Sequence, residues 1–345
     1  MAEAGAARRL TSLNLYPTSS DHQYYSGRVM PRRKLILDVD TGTDDAVAIM
    51  LAALHPDLEL VACTTVNGNR EIEHTTDNTL RTLDHIGRGD IPVHAGLSRP
   101  IARLDFPIPR AERDPGVHFV QMPLAEARSK AQAPDAVEFL IETYRNATDA
   151  ITLVPVGPLS NIASALALFP KLVDHVPEVI IMGGGHDVAN VTPAAEFNIW
   201  ADPEAAALVF ASGFRNLTLV PLDATHKATI SLDQCRTLRA SGKPAAEAAA
   251  IFVEKRIEGY RSYQHFDDAN AAPVHDALCI ASMIEPDVIE TRDYYVAVET
   301  TGTLTVGRTV IDTNFRSGRE PNARVAMSAD TGRFGRFVLD TLINN

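Results

Sequence analysis

Short apolar runs alternate with stretches of helical period from Lys34 onward. Leu35-Ile36-Leu37 reads as a buried strand, and Asp44 to Leu54 as the helix that follows it. Leu58 to Val66 is rich in β-formers, a helix is expected from about Glu71 to Ile86, and Ile91 to His94 is short and extended. Helical spacing returns over Asp135–Tyr144, Leu159–Leu168 and Asp202–Phe210. Strand-like runs at Ile151–Val156, Val179–Met182 and Leu217–Pro221 alternate with these helices. This alternation predicts an α/β fold: a doubly wound, mostly parallel open sheet of Rossmann-like type with helices on both faces. Tyr294–Met327 turns β-rich, which predicts a small C-terminal β addition, and Arg333–Ile343 closes the chain as a helix.

Residues 1–33 carry no period and end in the basic Arg32-Arg33-Lys34, so they are read as a disordered N-terminal tail, leaving 34–345 as a single domain. Two further stretches break the pattern. Residues 100–133, with Pro107, Pro109, Pro115 and Pro123, are expected to form an irregular excursion. Residues 222–272 are polar and partly helical, with Tyr260, Tyr263 and His265 near their end. Both are candidate lids beyond the strand ends, or ordinary surface connections.

Charge narrows the partners. Thirty-two basic against 44 acidic residues give a net −12, which argues against a nucleic-acid or anionic-membrane surface, since both need clustered positive charge. No apolar run reaches the ~18 residues of a membrane span, and no apolar run follows Arg8-Arg9 as in a secretory leader. Cys63, Cys235 and Cys279 are too dispersed for a disulfide framework, and the cytoplasm is the expected compartment.

The densest chemistry is Asp38-Val39-Asp40-Thr41-Gly42-Thr43-Asp44-Asp45. Strand alternation would put Asp38 and Asp40 on one face, Gly42 suits a tight turn, and Asp44-Asp45 open a helix where carboxylates are favoured. One helix end does not offset four clustered carboxylates. A bound hard cation, Ca²⁺ or Mg²⁺, would, and so would protonation. Without a cation, the same residues read as a cap and a turn. In part the segment resembles the DxDx(T/V) strand end of haloacid-dehalogenase-type phosphatases, with Asp38 as nucleophile. Gly42 and the Asp44-Asp45 pair depart from that pattern.

Polar groups recur at later strand ends. Asn67-Gly68-Asn69 is a turn or an amide aimed at a ligand. Val156-Gly157-Pro158 interrupts regular bonding, so that a backbone carbonyl could reach a cation. Met182-Gly183-Gly184-Gly185 lacks phosphate-loop spacing and leads to Asn190, Glu196, Phe197 and Asn198, a set suited to hydroxyl recognition. Val274-His275-Asp276-Ala277 begins a helix, with His275 either a core histidine or a functional one.

Taken in order, these motifs resemble the inosine–uridine-type nucleoside hydrolase family from about Lys34 to the end. The resemblance implies Ca²⁺-dependent hydrolysis of ribonucleosides to ribose and free base, by a homodimer or homotetramer. It implies Asp40, Asp45, the Val156 carbonyl and Asp276 as ligands of Ca²⁺, with Asp38 orienting them. Asp40 would also be the base for the attacking water, and His275 would assist the departing base. Asp44, Asn69, Met182, Asn190, Glu196 and Asn198 would bind the nucleoside. His275 resembles the inosine–uridine or broad-specificity branch, whereas the purine-specific branch has Trp there. Trp200, the chain's one tryptophan, cannot form a two-Trp sandwich by itself. Thr41 stands where Pro is common, and His118 is only a loose counterpart of the family's lid residues. A ribose- or nucleoside-binding protein without turnover is the non-enzymatic alternative.

Overall fold

Leu35, Leu37 and Val39 pack into one apolar cluster while Ile36, between them, packs into another. A strand buried on both faces must be apolar on both, which is why this run shows no alternation. In the computed structural model, which describes residues 31–107, 116–263, 266 and 268–345, the run lies in β1 (Arg33–Val39). Most of the segment read as a tail lies outside the described residues, as do Pro109, Pro115 and His265. Arg32–Asn345 form one compact unit.

The first half of the chain follows β1 with α1 (Thr43–Leu54), β2 (Leu58–Thr65), α2 (Ile72–His85), β3 (Val93–Ala95), α3 (Ala136–Asn146) and β4 (Ile151–Pro155). Next come α4 (Ser160–Leu168), α5 (Leu172–His175), β5 (Val179–Met182), α6 (Phe197–Ala201), α7 (Pro203–Ala211), β6 (Leu217–Val220) and α8 (Leu222–Thr225). Then follow β7 (Thr229–Ser231), α9 (Leu232–Ala240), α10 (Pro244–Tyr263), β8 (Ala271–Pro273) and α11 (His275–Ile284). The chain closes with β9 (Ile289–Tyr294), β10 (Val296–Val298), β11 (Thr309–Ile311), β12 (Ala323–Ala329) and α12 (Thr331–Asn344).

Eight strands form the main sheet in the order β3-β2-β1-β4-β5-β6-β12-β9. Strand β1 pairs in parallel with β2 on one side and β4 on the other, placing Leu37 between Cys63 and Val154. Only β9, at the edge, runs antiparallel. The expected doubly wound sheet is therefore present, with β1 and β4 flanking its switch point. One face carries α1, α10, α11 and α12, the other α3, α4 and α7. The C-terminal β residues divide between the main sheet (β9, β12) and a separate hairpin (β10, β11).

Residues 222–272 are partly helical, as expected, but their reading as a lid or a surface connection is corrected. Helix α10 buries Ala246, Ala249, Phe252, Val253 and Ile257 in the core, so this stretch supplies a layer of the fold. Residues 100–133 fit their expectation: the described ones contain neither helix nor strand.

Candidate active site

In an open parallel sheet the strands' carboxyl ends diverge at the switch point and leave a crevice. Here it receives the turns after β1, β2, β4 and β5 and the start of α11. The pocket is lined by Asp44, Asn69, Val156, Met182, Asn190, Glu196, Asn198, His275 and Asp276, all of them expected from the sequence. It is also lined by Phe106 and Arg256, which sequence reasoning missed, and by His118 and Tyr260, which it left as a loose lid counterpart and a lid candidate. Asp38, Asp40 and Asp45 stand just behind the wall.

Asp45 locks the turn between β1 and α1: its carboxylate accepts from the Asp40 and Gly42 amides at 3.1 and 2.9 Å. Gly42 is extended (φ −102°), so it serves no left-handed turn. Its reason is proximity, since a Cβ there would stand 2.1 Å from His118 Nδ1. Asp40 lies over Gly68, where a Cβ would reach 2.0 Å from its Oδ2, and accepts the Asn69 amide at 2.6 Å. Asp38 is engaged elsewhere: its Oδ2 accepts from Thr64 Oγ1 at 2.5 Å and Asn161 Nδ2 at 2.7 Å, while Oδ1 is buried without a hydrogen bond.

Asp44, Asp45 and Asp276, from the first turns of α1 and α11, each bring a carboxylate oxygen within 4.8 Å of the others. Arg256 of α10, itself 1 % exposed, reaches Asp44 Oδ1 at 2.8 Å. Burial raises the pKa of each of these carboxylates; repulsion from its neighbours adds to it at Asp40, Asp45 and Asp276, whereas Arg256 opposes it at Asp44. Asp45 is pushed to about 7, by burial first and then by Asp44, while Asp40 and Asp276 go well above the carboxylate range. An all-oxygen donor set carrying more negative charge than one guanidinium offsets is the chemistry of a hard-cation site. The Val156 carbonyl beside it accepts Asn198 Nδ2 at 2.7 Å, and its second lone pair can serve another partner.

Two groups of side chains flank the carboxylates. On one side, His275 shares hydrogen bonds at 2.7 Å with Thr225 Oγ1 through Nδ1 and with the Tyr260 hydroxyl through Nε2. Burial, then the charge of Arg256, holds His275 well below the ordinary histidine range, so its ring is neutral. Nearby, His118 Nδ1 accepts the Thr43 amide at 3.1 Å and lies 3.8 Å from Asp44. Its segment is pinned by Arg70, which donates to the His118 carbonyl at 2.7 Å, and by Asn78, which takes the Met122 amide at 2.8 Å.

On the other side, Glu196 caps α6 through the Asn198 amide (2.9 Å) and accepts the Gly184 amide at 2.7 Å; burial pushes it to about 7. Asn190 Oδ1 takes the Phe197 amide at 2.9 Å, and Asn198 also donates to the Met182 carbonyl at 3.3 Å. Trp200 packs here against Phe106 and Phe197, in a cluster of its own that excludes His275.

Residues 35–336 match the family described as inosine-uridine preferring nucleoside hydrolase. The pyrimidine-specific ribonucleoside hydrolase RihA of Shewanella baltica is 38% identical over 310 residues, covering 90% of this chain and 96% of its own. RihB of Escherichia coli K12, also named pyrimidine-specific, is 37% identical over the same lengths. Among solved structures, a purine-preferring ribonucleoside hydrolase from Gardnerella vaginalis superposes with a TM-score of 0.82 at 28% identity, covering 90% of this chain and 98% of that one.

Proposed function

The chain belongs to the inosine-uridine preferring nucleoside hydrolase family and hydrolyses the N-glycosyl bond of ribonucleosides; we propose that it acts on pyrimidine ribonucleosides with a bound Ca²⁺. The observation that carries this reading is the convergence of the buried carboxylates and the Tyr260–His275 pair on one pocket. The pyrimidine preference rests on the names of its 37–38% identical relatives.

The ion would be held by Asp40, Asp45, Asp276 and the Val156 carbonyl, with Asp38 behind them tied to Thr64 and Asn161. When bound, it supplies Lewis-acid activation of water and a grip on the sugar diol. Asp44, whose charge is committed to Arg256, is left to accept a sugar hydroxyl. Asn69, Met182, Asn190, Glu196 and Asn198 complete the sugar site. Asp40 takes the proton of the attacking water. The sugar then passes through an oxocarbenium-like state, whose charge the buried carboxylates oppose. The Tyr260 hydroxyl would donate its proton to the departing base as charge develops there, and neutral His275, donating Nε2–H to the tyrosine oxygen, holds that hydroxyl in place and stabilises the oxygen left behind. The reading expects a homodimer or homotetramer in the cytoplasm. Three buried free thiols suit a reducing compartment. A phosphatase with Asp38 as nucleophile is disfavoured, because Asp38 Oδ2 is committed to Thr64 Oγ1 and Asn161 Nδ2, away from the pocket.

The test is reducing-sugar release from uridine, cytidine and inosine in phosphate-free buffer, with protein stripped by chelator and refilled with Ca²⁺. Release that favours uridine or cytidine, falls on stripping and returns with Ca²⁺ is expected. Asp40→Asn should lower kcat by about 10²-fold or more while the folded protein still melts cooperatively. Stoichiometric nucleoside binding without ribose release would establish the binding-only alternative.

A further inference from the structure

The pocket's apolar end is built by a segment with no regular structure. Phe106 is 6 % exposed, and its ring centroid lies 5.9 Å from those of both Phe197 and Trp200. With Val191 these rings form a cluster separate from both main cores. Regular structure does not hold Phe106 there; two anchors do. The Ile101 amide donates to Asp202 Oδ2, the buried cap of α7, at 2.8 Å. Arg103 makes a forked pair with Glu204, 3.0 Å from Nε and 2.7 Å from Nη2, and Nη2 also donates to the Thr300 carbonyl at 2.8 Å.

We infer that Phe106 is a specificity-determining residue: with Phe197 and Trp200 it forms an end wall beyond the C5′ carbon of the bound nucleoside, limiting 5′ substituents to small uncharged ones. The inference rests on the nucleoside-hydrolase reading of the site. That reading sends the base toward His275 and Tyr260 and sets the sugar diol on the carboxylates. C5′ is then directed to the Asn190–Glu196 end, where the wall stands. A bulky 5′ group would meet ring faces, and a phosphate would also meet the Glu196 carboxylate. The cations among the described pocket residues, Arg70 and Arg256, belong to the opposite side, and Arg103 is already paired with Glu204. Substrate must therefore arrive as a free nucleoside, so the reaction class that supplies it from nucleotides is phosphomonoester hydrolysis.

The experiment compares kcat/KM of the metal-loaded wild type, Phe106→Ala and Phe106→Leu on uridine, 5′-O-methyluridine, 5′-O-benzyluridine and uridine 5′-monophosphate. The ratio of benzyl ether to uridine is read for each enzyme, so any general loss of activity divides out. Phe106→Ala should raise that ratio by about tenfold or more, the scale of discrimination in an apolar pocket. Phe106→Leu should raise it less, and the monophosphate should stay rejected by all three. Arg103→Ala, which loosens the anchor, should move the ratio in the same direction. A ratio unchanged within about twofold in both Phe106 variants, with a wild type active on uridine, overturns the inference. A wild type that releases no ribose from uridine or the other nucleosides overturns instead the reading on which it rests.

Discussion

Replacing Arg256 by methionine tests the electrostatic account of the site most directly. The new side chain keeps the length and apolar contact of the arginine stem but removes its charge. Four interactions go: the pair with Asp44 at 2.8 Å, the bond to the Pro273 carbonyl at 2.7 Å, that to Thr43 Oγ1 at 3.2 Å, and the contact of the guanidinium with the face of the Tyr260 ring, 5.5 Å from its centroid. What remains is Asp44 beside Asp45 and Asp276, all buried, with their nearest positive charge gone. Removing one partner of a buried pair destabilises by about 3–5 kcal/mol, a figure that already includes the lost hydrogen bonds. At roughly 2–4 °C per kcal/mol for a large domain, the metal-free variant should melt about 6–20 °C below the wild type. Thermal unfolding in chelator near neutral pH reads this. Saturating Ca²⁺ should narrow the gap, since the ion supplies the missing charge and binds only the folded state. The double variant Arg256→Met, Asp44→Asn should recover at least half of the loss, because it removes the stranded charge as well. Melting within about 2 °C of the wild type in chelator, with no gain from Asp44→Asn, would refute the reasoning.

His275→Ala should lower kcat on uridine by about 10²-fold yet leave 4-nitrophenyl riboside, whose leaving group needs no proton, within a few-fold; equal losses on both would remove the leaving-group role. Stability should also respond to pH in a metal-dependent way. Burial and Asp44 hold Asp45 near 7, above its ordinary 3.8, so the folded metal-free protein binds more protons than the unfolded chain between about pH 4 and 7. Its stability is therefore full below that window and falls as pH rises through it. The gain in Tm from Ca²⁺ should grow over the same window, because ligands must be deprotonated. A metal-free Tm that rises from pH 4 to 7, with a constant Ca²⁺ gain, contradicts this account.

The sheet was legible because parallel strands buried on both faces are written as unbroken apolar runs, and β1, β4 and β5 are such runs. The acidic cluster was legible because its members are close in sequence and their repulsion demands an explanation. Strand alternation misled at one point. It paired Asp38 with Asp40 on one face, but β1 ends at Val39, and the two carboxylates engage different partners. Helix α10 was hidden by its alanines, which bury well but carry little hydrophobic signal. A sharper sign was there: Phe252, Arg256 and Tyr260 recur at helical spacing, so a charge shares a face with buried neighbours. Phe106 and His118 had no local signal. Their positions come from side chains remote in sequence, Asp202 and Glu204 for one arm, Arg70, Asn78 and Thr43 for the other.

The strand order has a consequence for how the molecule is made. β1 sits inside the sheet, yet it leaves the ribosome before every other strand of that sheet. One of its two neighbours, β4, begins only at Ile151. Asp44 and Asp45 emerge with the first helix, whereas Asp276 and Arg256 come from the last third of the chain. A growing polypeptide therefore carries its like charges long before either the arginine or the third carboxylate exists. On the proposed reading, cation affinity should switch on only when synthesis has passed α11, so that binding an ion would report the meeting of carboxylates from the two ends of the chain while β9–β12 and α12 are still to be added.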